Sequence, residues 1–222
     1  MLSTRLETLI SMIHPTSALA DVGCDHGLLA CEVKKRQIAQ VVYAMDINQK
    51  PLDQAKETII RYQLEEAVFP ILSNGLDKLS KEVKTVLIAG VGYETCKMIL
   101  ENDLDKLGQL DQIIIQINRD VDKLRLWIVE HHMAILDEKM IYDKHFYQAL
   151  SICPKQSQSL SLQQIKYGPI LMQEKSDIFI KYLEHQKNKL NKALSNLDKT
   201  HPKAILIQEE IKEIDQLFNK AA

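Results

Sequence analysis

Short apolar segments alternate with amphipathic segments along the first half of the chain. Runs rich in β-branched residues recur at positions 18–21, 41–45, 68–72, 86–89 and 113–117. Each run is followed by a polar loop and then by apolar residues at helical spacing, which indicates strands that alternate with helices. Strands that are apolar without interruption are typical of a parallel sheet covered by helices on both faces. The pattern therefore predicts an α/β fold.

The second half of the chain has a different pattern. Two extended stretches at 133–142 and 146–153, joined by the polar residues 143–145, predict an antiparallel pair that completes a seven-stranded, mostly parallel sheet. The polar stretch 154–164 is expected to be a loop or linker. Two stripes of residues at heptad spacing follow it: Phe179, Leu183, Gln186, Leu190, Ala193 and Leu197, then Ile207, Ile211, Ile214 and Phe218.

Pro202 lies between the two stripes and is expected to interrupt the helix. The stripes should therefore fold back as an antiparallel, coiled-coil hairpin. We predict a Rossmann-like domain over residues 1–165 and a C-terminal helical hairpin over residues 166–222.

Composition excludes several classes of protein. No apolar run approaches the roughly 18 residues of a membrane-spanning helix, and Arg5 and Glu7 charge the N-terminus, so we expect a cytoplasmic protein with no membrane partner. The four cysteines do not have zinc-ligand spacing, so no metal is expected. The net charge of -2 gives no general attraction to a polyanion, so any nucleic-acid site must be a local basic patch.

The loop after the first strand, ADVGCDHG at positions 20–27, is the first candidate site. Candidate cofactor-binding residues there are Asp21, Gly23, Cys24, Asp25 and His26. Asp25 occupies the place of the second glycine of the dinucleotide fingerprint, where a carboxylate would repel a pyrophosphate but suits a cation such as the sulfonium of S-adenosylmethionine. The alternative is that Asp25 caps a helix starting near Leu28. His26 fits an orienting role as well as substrate contact.

The next two strand tips also carry candidate cofactor residues. Asp46 ends the second strand at the spacing where Rossmann-like sites bind ribose hydroxyls, although a surface aspartate that caps a helix near Pro51 is the alternative. Asn74 and Gly75 follow the third strand. They could bind the amino group of the cofactor's adenine, or they could form an ordinary Asn-Gly turn.

The fourth and fifth strand tips could contact the cofactor or, if the substrate is a nucleic acid, the base that reacts. Ala89, Gly90 and Gly92 leave room for either, with a tight turn as the alternative. The amides of Gln116 and Asn118 could read an adenine edge beside Arg119. Their alternative role is to cap a helix near Asp120.

Taken in order, the motifs TRL (4–6), ADVGCDHGLL (20–29), AGVG (89–92), QIN (116–118), KLRLW (123–127) and YGP (167–169) resemble those of the TrmK family of bacterial tRNA (adenine(22)-N1)-methyltransferases. The resemblance implies a class I methyltransferase fold, S-adenosylmethionine as cofactor, tRNA as partner and methylation of N1 of adenine 22. The chain departs from the family at Tyr93, where a second loop glycine is usual, at Ile117, where proline is usual, and at Asn74, where aspartate is common.

The resemblance suggests roles for the candidates. Asp25, Gln116 and Asn118 are the expected catalytic residues, and Arg5, Tyr93 and Arg119 the expected substrate-binding residues of what we expect to be a monomer. Two alternatives remain open at this point. One is a methyltransferase of the same fold that acts on a small molecule or a protein, and the other is a noncatalytic adaptor that recruits a partner through its hairpin.

Overall fold

The computed structural model describes residues 2–198 and 201–219, and its centre is a seven-stranded sheet. The strands are β1 Thr16–Val22, β2 Ala39–Asp46, β3 Val68–Leu72, β4 Thr85–Val91, β5 Gln112–Ile117, β6 Ala134–Asp143 and β7 His145–Cys153. Their order across the sheet is β3-β2-β1-β4-β5-β7-β6, and β7 runs antiparallel to both β5 and β6. The predicted mostly parallel sheet with a closing antiparallel pair is confirmed.

Helices cover the sheet and connect its parallel strands, except that no helix lies among the described residues between β3 and β4, so the expected helix after the third strand is wrong. They are α1 Thr4–Ser11, α2 Leu28–Lys35, α3 Gln49–Tyr62, α4 Tyr93–Glu101, α5 Leu104–Leu107, α6 Val121–Glu130 and α7 Leu162–Tyr167. All six residues of β5 are buried, because helices shield both faces of the central strands. Among the described residues, no helix combines the length and the apolar character needed to cross a membrane.

Helix α1 precedes the first strand, and its C-terminal end is fixed to the sheet. Ser3 caps it by accepting a hydrogen bond from the Leu6 amide, and Leu9 and Ile10 are buried. The fully buried Gln112 side chain then donates to the Met12 carbonyl at 2.8 Å and to Ser151 Oγ at 2.7 Å. This amide holds the end of α1 against β5 and β7.

The prediction of a loop over residues 154–164 is wrong for its last three residues. Helix α7 already begins at Leu162, because Ser161 and Gln164 form a capping box in which each side chain binds the other residue's backbone amide. The pattern Ser-x-x-Gln is readable in the sequence, but its serine- and glutamine-rich surroundings obscured it. Residues 162–164 are therefore helical.

A buried ion pair joins α6, β6 and the end of α7. Arg125 and Glu138 are both fully buried, with Nε 2.7 Å from Oε1, and Arg125 also donates to Gln148 Oε1 at 2.5 Å and to the Ile165 carbonyl at 3.2 Å. Gly168 lies directly against the pair, since a Cβ there would be 2.7 Å from Glu138 Oε2 and 2.8 Å from Arg125 Nη2. The KLRLW and YGP motifs are therefore two sides of one structural contact.

The chain divides into two compact units at Gly168 and Pro169. The second unit contains α8 Pro169–Glu174, α9 Asp177–Leu194 and α10 Pro202–Asn219. Lys175, just before α9, donates to the Leu217 carbonyl near the end of α10 at 2.7 Å, which shows that the two helices are antiparallel. Leu197 lies beyond the end of α9, so the last position of the predicted first stripe is not helical.

Candidate active site

The loop after β1 has the conformation that its glycines predict. Gly23, Asp25 and Gly27 all have positive φ, and a Cβ at Gly27 would lie only 2.9 Å from the Cβ of Ala55. The amides of Gly23 and Cys24 donate to the Met45 carbonyl at 2.8 and 3.0 Å, which fixes the loop against the tip of β2. A close approach of two backbones thus requires glycine at position 27.

Asp25 does not cap the following helix. The N-cap of α2 is Gly27, with no side-chain cap, and the Asp25 side chain is 73% exposed. Its Oδ1 lies 3.6 Å from Nε2 of His26, which is also exposed. The capping alternative for Asp25 is therefore wrong, and its carboxylate is directed toward solvent beside the loop. Cys24, by contrast, is buried, and burial raises the pKa of its thiol.

Asp21 is a buried carboxylate at the start of the same loop. It is only 4% exposed, and its Oδ2 has no hydrogen-bond partner within the described part of the chain. Burial raises the pKa of Asp21 to about 7; the Ala30 amide opposes this shift, and the charges of Asp46 and Asp25 add to it. A buried oxygen without a partner is costly, so it indicates a group that a ligand completes.

Asp46 lies next to this loop because β1 and β2 are paired along their whole length. The Val22–Met45 pair ends the ladder, so Asp46 follows directly at the same edge. Asp46 is 9% exposed, and its Oδ1 accepts the Asn48 amide at 2.9 Å. Helix α3 begins at Gln49 and its N-cap is Asn48, so the interpretation of Asp46 as a surface cap is wrong.

Two exposed apolar residues flank Asp46, and the sequence did not single them out. Ile47 follows Asp46 and is 59% exposed, while Leu72, which pairs with Asp46 across β2 and β3, is 44% exposed. Exposed aliphatic side chains beside a carboxylate provide the apolar surface on which a flat ring can pack. The only signal in the sequence is that both residues end or follow strands at the carboxyl edge.

The turn after β3 is a tight turn that leaves Asn74 exposed. Ser73 Oγ donates to the Gly75 carbonyl and accepts the Lys78 amide, both at 3.1 Å, and Gly75 has a φ of +55°. The Asn-Gly turn is therefore present, and it places the Asn74 side chain at the edge of the sheet next to β2.

The tips of β4 and β5 are joined by a chain of polar contacts. Asn118 Nδ2 donates to the Gly90 carbonyl at 3.0 Å, and Gln116 Nε2 donates to Asn118 Oδ1 at 3.3 Å. Arg5 Nη1 then donates to Gln116 Oε1 at 2.8 Å. Gly90 has a φ of +82° at a bulge between Ala89 and Val91, and a Cβ there would lie 3.4 Å from Arg5 Nη1.

This geometry corrects two expectations for the amides. Helix α6 begins at Val121 with Asp120 as N-cap and no side-chain cap, so neither Gln116 nor Asn118 caps it. Gln116 is fully buried and both ends of its amide are bonded, so it cannot reach a nucleobase in this conformation. Gln116 therefore orients Asn118, which is exposed at the site.

Tyr93, Arg119 and Gly92 border the same edge. Gly92 is the N-cap of α4, and Tyr93 is its first residue, half-buried, with Lys123 Nζ 5.9 Å from its ring centre. Arg119 is exposed just beyond β5. Across residues 2–198 and 201–219, no group of three or more His, Cys, Asp or Glu side chains could hold a metal ion.

Known proteins resemble the chain along most of its length. Residues 2–150 match the family model described as a methyltransferase domain. The Bacillus subtilis tRNA (adenine(22)-N(1))-methyltransferase is 27% identical over 187 residues, which are 81% of this chain and 79% of that protein.

Two solved structures share the fold. Mycoplasma capricolum TrmK in complex with S-adenosylhomocysteine has a TM-score of 0.86 and 34% identity over 97% of each chain. A Streptococcus pneumoniae protein, for which tRNA (m1A22) methylation has been proposed, was solved with S-adenosyl-L-methionine. It has a TM-score of 0.89 and 28% identity over 99% of this chain and 100% of that one.

Proposed function

We propose, from the premise that this chain belongs to the methyltransferase-domain family and within it to TrmK, that it transfers a methyl group from S-adenosylmethionine to N1 of adenine 22 in tRNA. The observation that carries the proposal is the cluster of Asp21, Asp25 and Asp46 on neighbouring strand tips, with one buried carboxylate oxygen left without a partner. A cationic cofactor would satisfy such a cluster.

The residues of the first three strand tips fit the cofactor. Asp46 has one oxygen bonded to the Asn48 amide, so its second oxygen can accept from the ribose hydroxyls. Ile47 and Leu72 offer apolar surface to the adenine ring, and Asn74 lies where it can bind the ring's edge. A Cβ at Gly23 would meet nothing within 4 Å, so the loop leaves open space for the methionine part next to Asp21.

When bound, the cofactor supplies an electrophilic methyl group. Adenine N1 has a free lone pair at neutral pH, so the protein needs no strong base and its main task is positioning. Asp25, exposed beside the loop, would accept a hydrogen bond from the adenine amino group as positive charge develops on the ring. Asn118, held by Gln116 and the Gly90 carbonyl, would bind the ring's edge from the other side.

The target base must leave its stack before it can react. Unstacking costs a few kcal/mol, which contact with an aromatic side chain can offset. We propose Tyr93 for this contact, because it is the first residue of α4, at the tip of β4. The ammonium group of Lys123 lies near its ring. Arg119 is then placed to contact a phosphate at the same rim.

We further propose that the C-terminal unit helps to bind the tRNA. The charges on its two long helices differ, since α9 has four lysines and two acids while α10 has two lysines and four acids. Lys187 is bonded to Asp215, whereas Lys181, Lys189 and Lys192 are exposed. Helix α9 therefore offers the local basic surface that the net charge of the chain does not provide. Since we propose a tRNA substrate, we also propose that the protein is cytoplasmic, and we expect it to act as a monomer.

The test is to incubate the protein with tRNA and a cofactor that carries a heavy methyl group, followed by mass spectrometry of the tRNA nucleosides. We expect heavy 1-methyladenosine when position 22 is adenine, and none when the same tRNA carries guanine there. Cofactor binding without tRNA methylation would instead favour a small-molecule or protein substrate. No cofactor binding would favour an adaptor.

A further inference from the structure

The hairpin formed by β6 and β7 extends beyond the carboxyl edge of the sheet. The last residue of β5, Ile117, pairs with Gln148, but β7 begins at His145 and β6 ends at Asp143. At about 3.3 Å per residue, the strand residues 145–147 reach roughly 10 Å past the last β5 pair. Residues 143–147 are called the hairpin tip, and they lie past the end of β5, the strand that Asn118 follows.

One face of the hairpin tip continues the polar chain of the active site. Successive strand residues alternate between faces, so Tyr147 and His145 lie on the same face as Ala149, which pairs with Gln116. Arg5 Cζ is 5.6 Å from the centre of the Tyr147 ring while its Nη1 binds Gln116. The rings of His145 and Tyr147 are 6.4 Å apart at 79°. A continuous surface therefore runs from Asn118 to His145.

The opposite face of the hairpin is separate from this surface. Tyr142 pairs with Phe146 across the two strands, and their rings are 5.0 Å apart. Tyr142 is 53% exposed. Like His145, Tyr142 is an exposed aromatic residue of the same hairpin, but it lies on the other face.

The charges near the first face suit a nucleic acid. Lys144 lies at the turn with a φ of +60° and is exposed, as are His145 and, on β5's side, Arg119. One acid is present in the tip: Asp143 Oδ2 accepts the Arg5 backbone amide at 3.4 Å. Lys144 lies one residue further toward the end of the hairpin.

We infer that the hairpin tip, through His145, Tyr147 and Lys144 together with Arg5, binds the nucleotide next to the target adenine. When the adenine leaves its stack, its neighbour loses a stacking partner, and an aromatic surface next to the active site replaces it. The lysine contacts the phosphate of that nucleotide. This inference rests on the proposed tRNA substrate and assigns to the tip a contact outside the reacting atoms.

The experiment compares tRNA binding by the full chain and three variants, measured by filter binding at several salt concentrations, with SAM affinity and melting temperature measured in parallel. His145→Ala should weaken tRNA binding about tenfold, as the loss of one stacked base does, with SAM affinity and melting temperature unchanged. Lys144→Ala should lower the slope of log K against log salt by about 0.9, because one phosphate contact is lost. Tyr142→Ala should bind tRNA as the unmodified chain does.

The inference is overturned if His145→Ala binds tRNA as tightly as Tyr142→Ala does, or if the two weaken it equally. Failure of the tip can be distinguished from failure of the proposed function. In the first case the unmodified chain methylates tRNA and the tip variants match it. In the second the chain binds SAM without methylating tRNA, and a loss of tRNA binding specific to His145→Ala and Lys144→Ala would still support the tip.

Discussion

Two groups of charged residues in the molecule contrast in how their charges are satisfied. Arg125 and Glu138 are fully buried and form an ion pair with each other, and Arg125 also donates a hydrogen bond to Gln148. Asp21, Asp25 and Asp46 lie at two adjacent strand tips, where one Asp21 oxygen has no partner among the described residues and the Asp25 carboxylate is 3.6 Å from the His26 ring. Arg125, Asp21 and Asp25 lie in motifs that carry the family resemblance, whereas Glu138 and Asp46 lie outside them. Loss of one member of the closed group would leave an uncompensated buried charge, whereas the open group contains a carboxylate oxygen that we propose the cofactor completes.

The largest effect should come from opening the closed group. Arg125→Ala removes the guanidinium and leaves the Glu138 carboxylate buried without its cation, which should lower the free energy of unfolding by about 3–5 kcal/mol. Chemical denaturation measures this loss. Arg125→Met combined with Glu138→Leu should recover much of the stability, because no uncompensated charge remains. A loss below about 1 kcal/mol for Arg125→Ala would contradict a structural role.

The second prediction concerns the exposed member of the open group. Asp25→Asn keeps the size of the side chain and removes its charge, so it should lower the single-turnover rate of methyl transfer by about 10²–10³, far more than it weakens the binding of either ligand. The control is Glu66→Gln, an exposed acid before β3 at the opposite edge of the sheet, which should be silent. Near-normal turnover of Asp25→Asn would remove Asp25 from the catalytic residues.

A smaller effect is expected at Asp46. Asp46→Ala removes the charged acceptor for the ribose hydroxyls, and a hydrogen bond to a charged group contributes about 1.5–3 kcal/mol, so the dissociation constant for SAM should rise roughly 10- to 150-fold. Calorimetric titration checks this. Asp53→Ala on α3 changes an exposed aspartate nearby and should leave the constant unchanged. Equal constants for both variants would show that another residue binds the ribose.

The sequence was informative where the chain signals its structure locally. Uninterrupted β-branched runs predicted the strands, and the glycines at 23 and 27 predicted the loop, because each depends on residues adjacent in the chain. Contacts between distant segments were not predictable in this way. Nothing in the motif around Gln116 indicates that Arg5, over a hundred residues away, occupies its amide.

The same limit applies to the register and exposure of the strands. The pattern predicted the antiparallel pair but not that its tip extends past β5, since that depends on which residue of β7 pairs with Ile117. The exposure of Ile47 and Leu72 was likewise not predictable from the sequence, because both are aliphatic residues of the kind usually found in a core. These are the features on which the details of the site depend.

The most direct test of the open group is proton release on cofactor binding. The pKa of Asp21 is raised to about 7 by burial and by its acidic neighbours, so near pH 7 some of the molecules hold the proton. Without ligand, the raised pKa makes the contribution of Asp21 to folding largest below about pH 4 and lost as the pH rises through 7. A cation bound beside Asp21 reverses this preference, so it should displace the proton and bind more tightly above pH 7 than below it.

The measurement is calorimetric titration of SAM at pH 7 in two buffers that differ in ionisation enthalpy. We predict a net release of protons, and a clearly smaller release from Asp21→Asn, which cannot titrate. Proton uptake, or the same release from both proteins, would contradict the claim that the open carboxylates are kept for the cationic methyl donor.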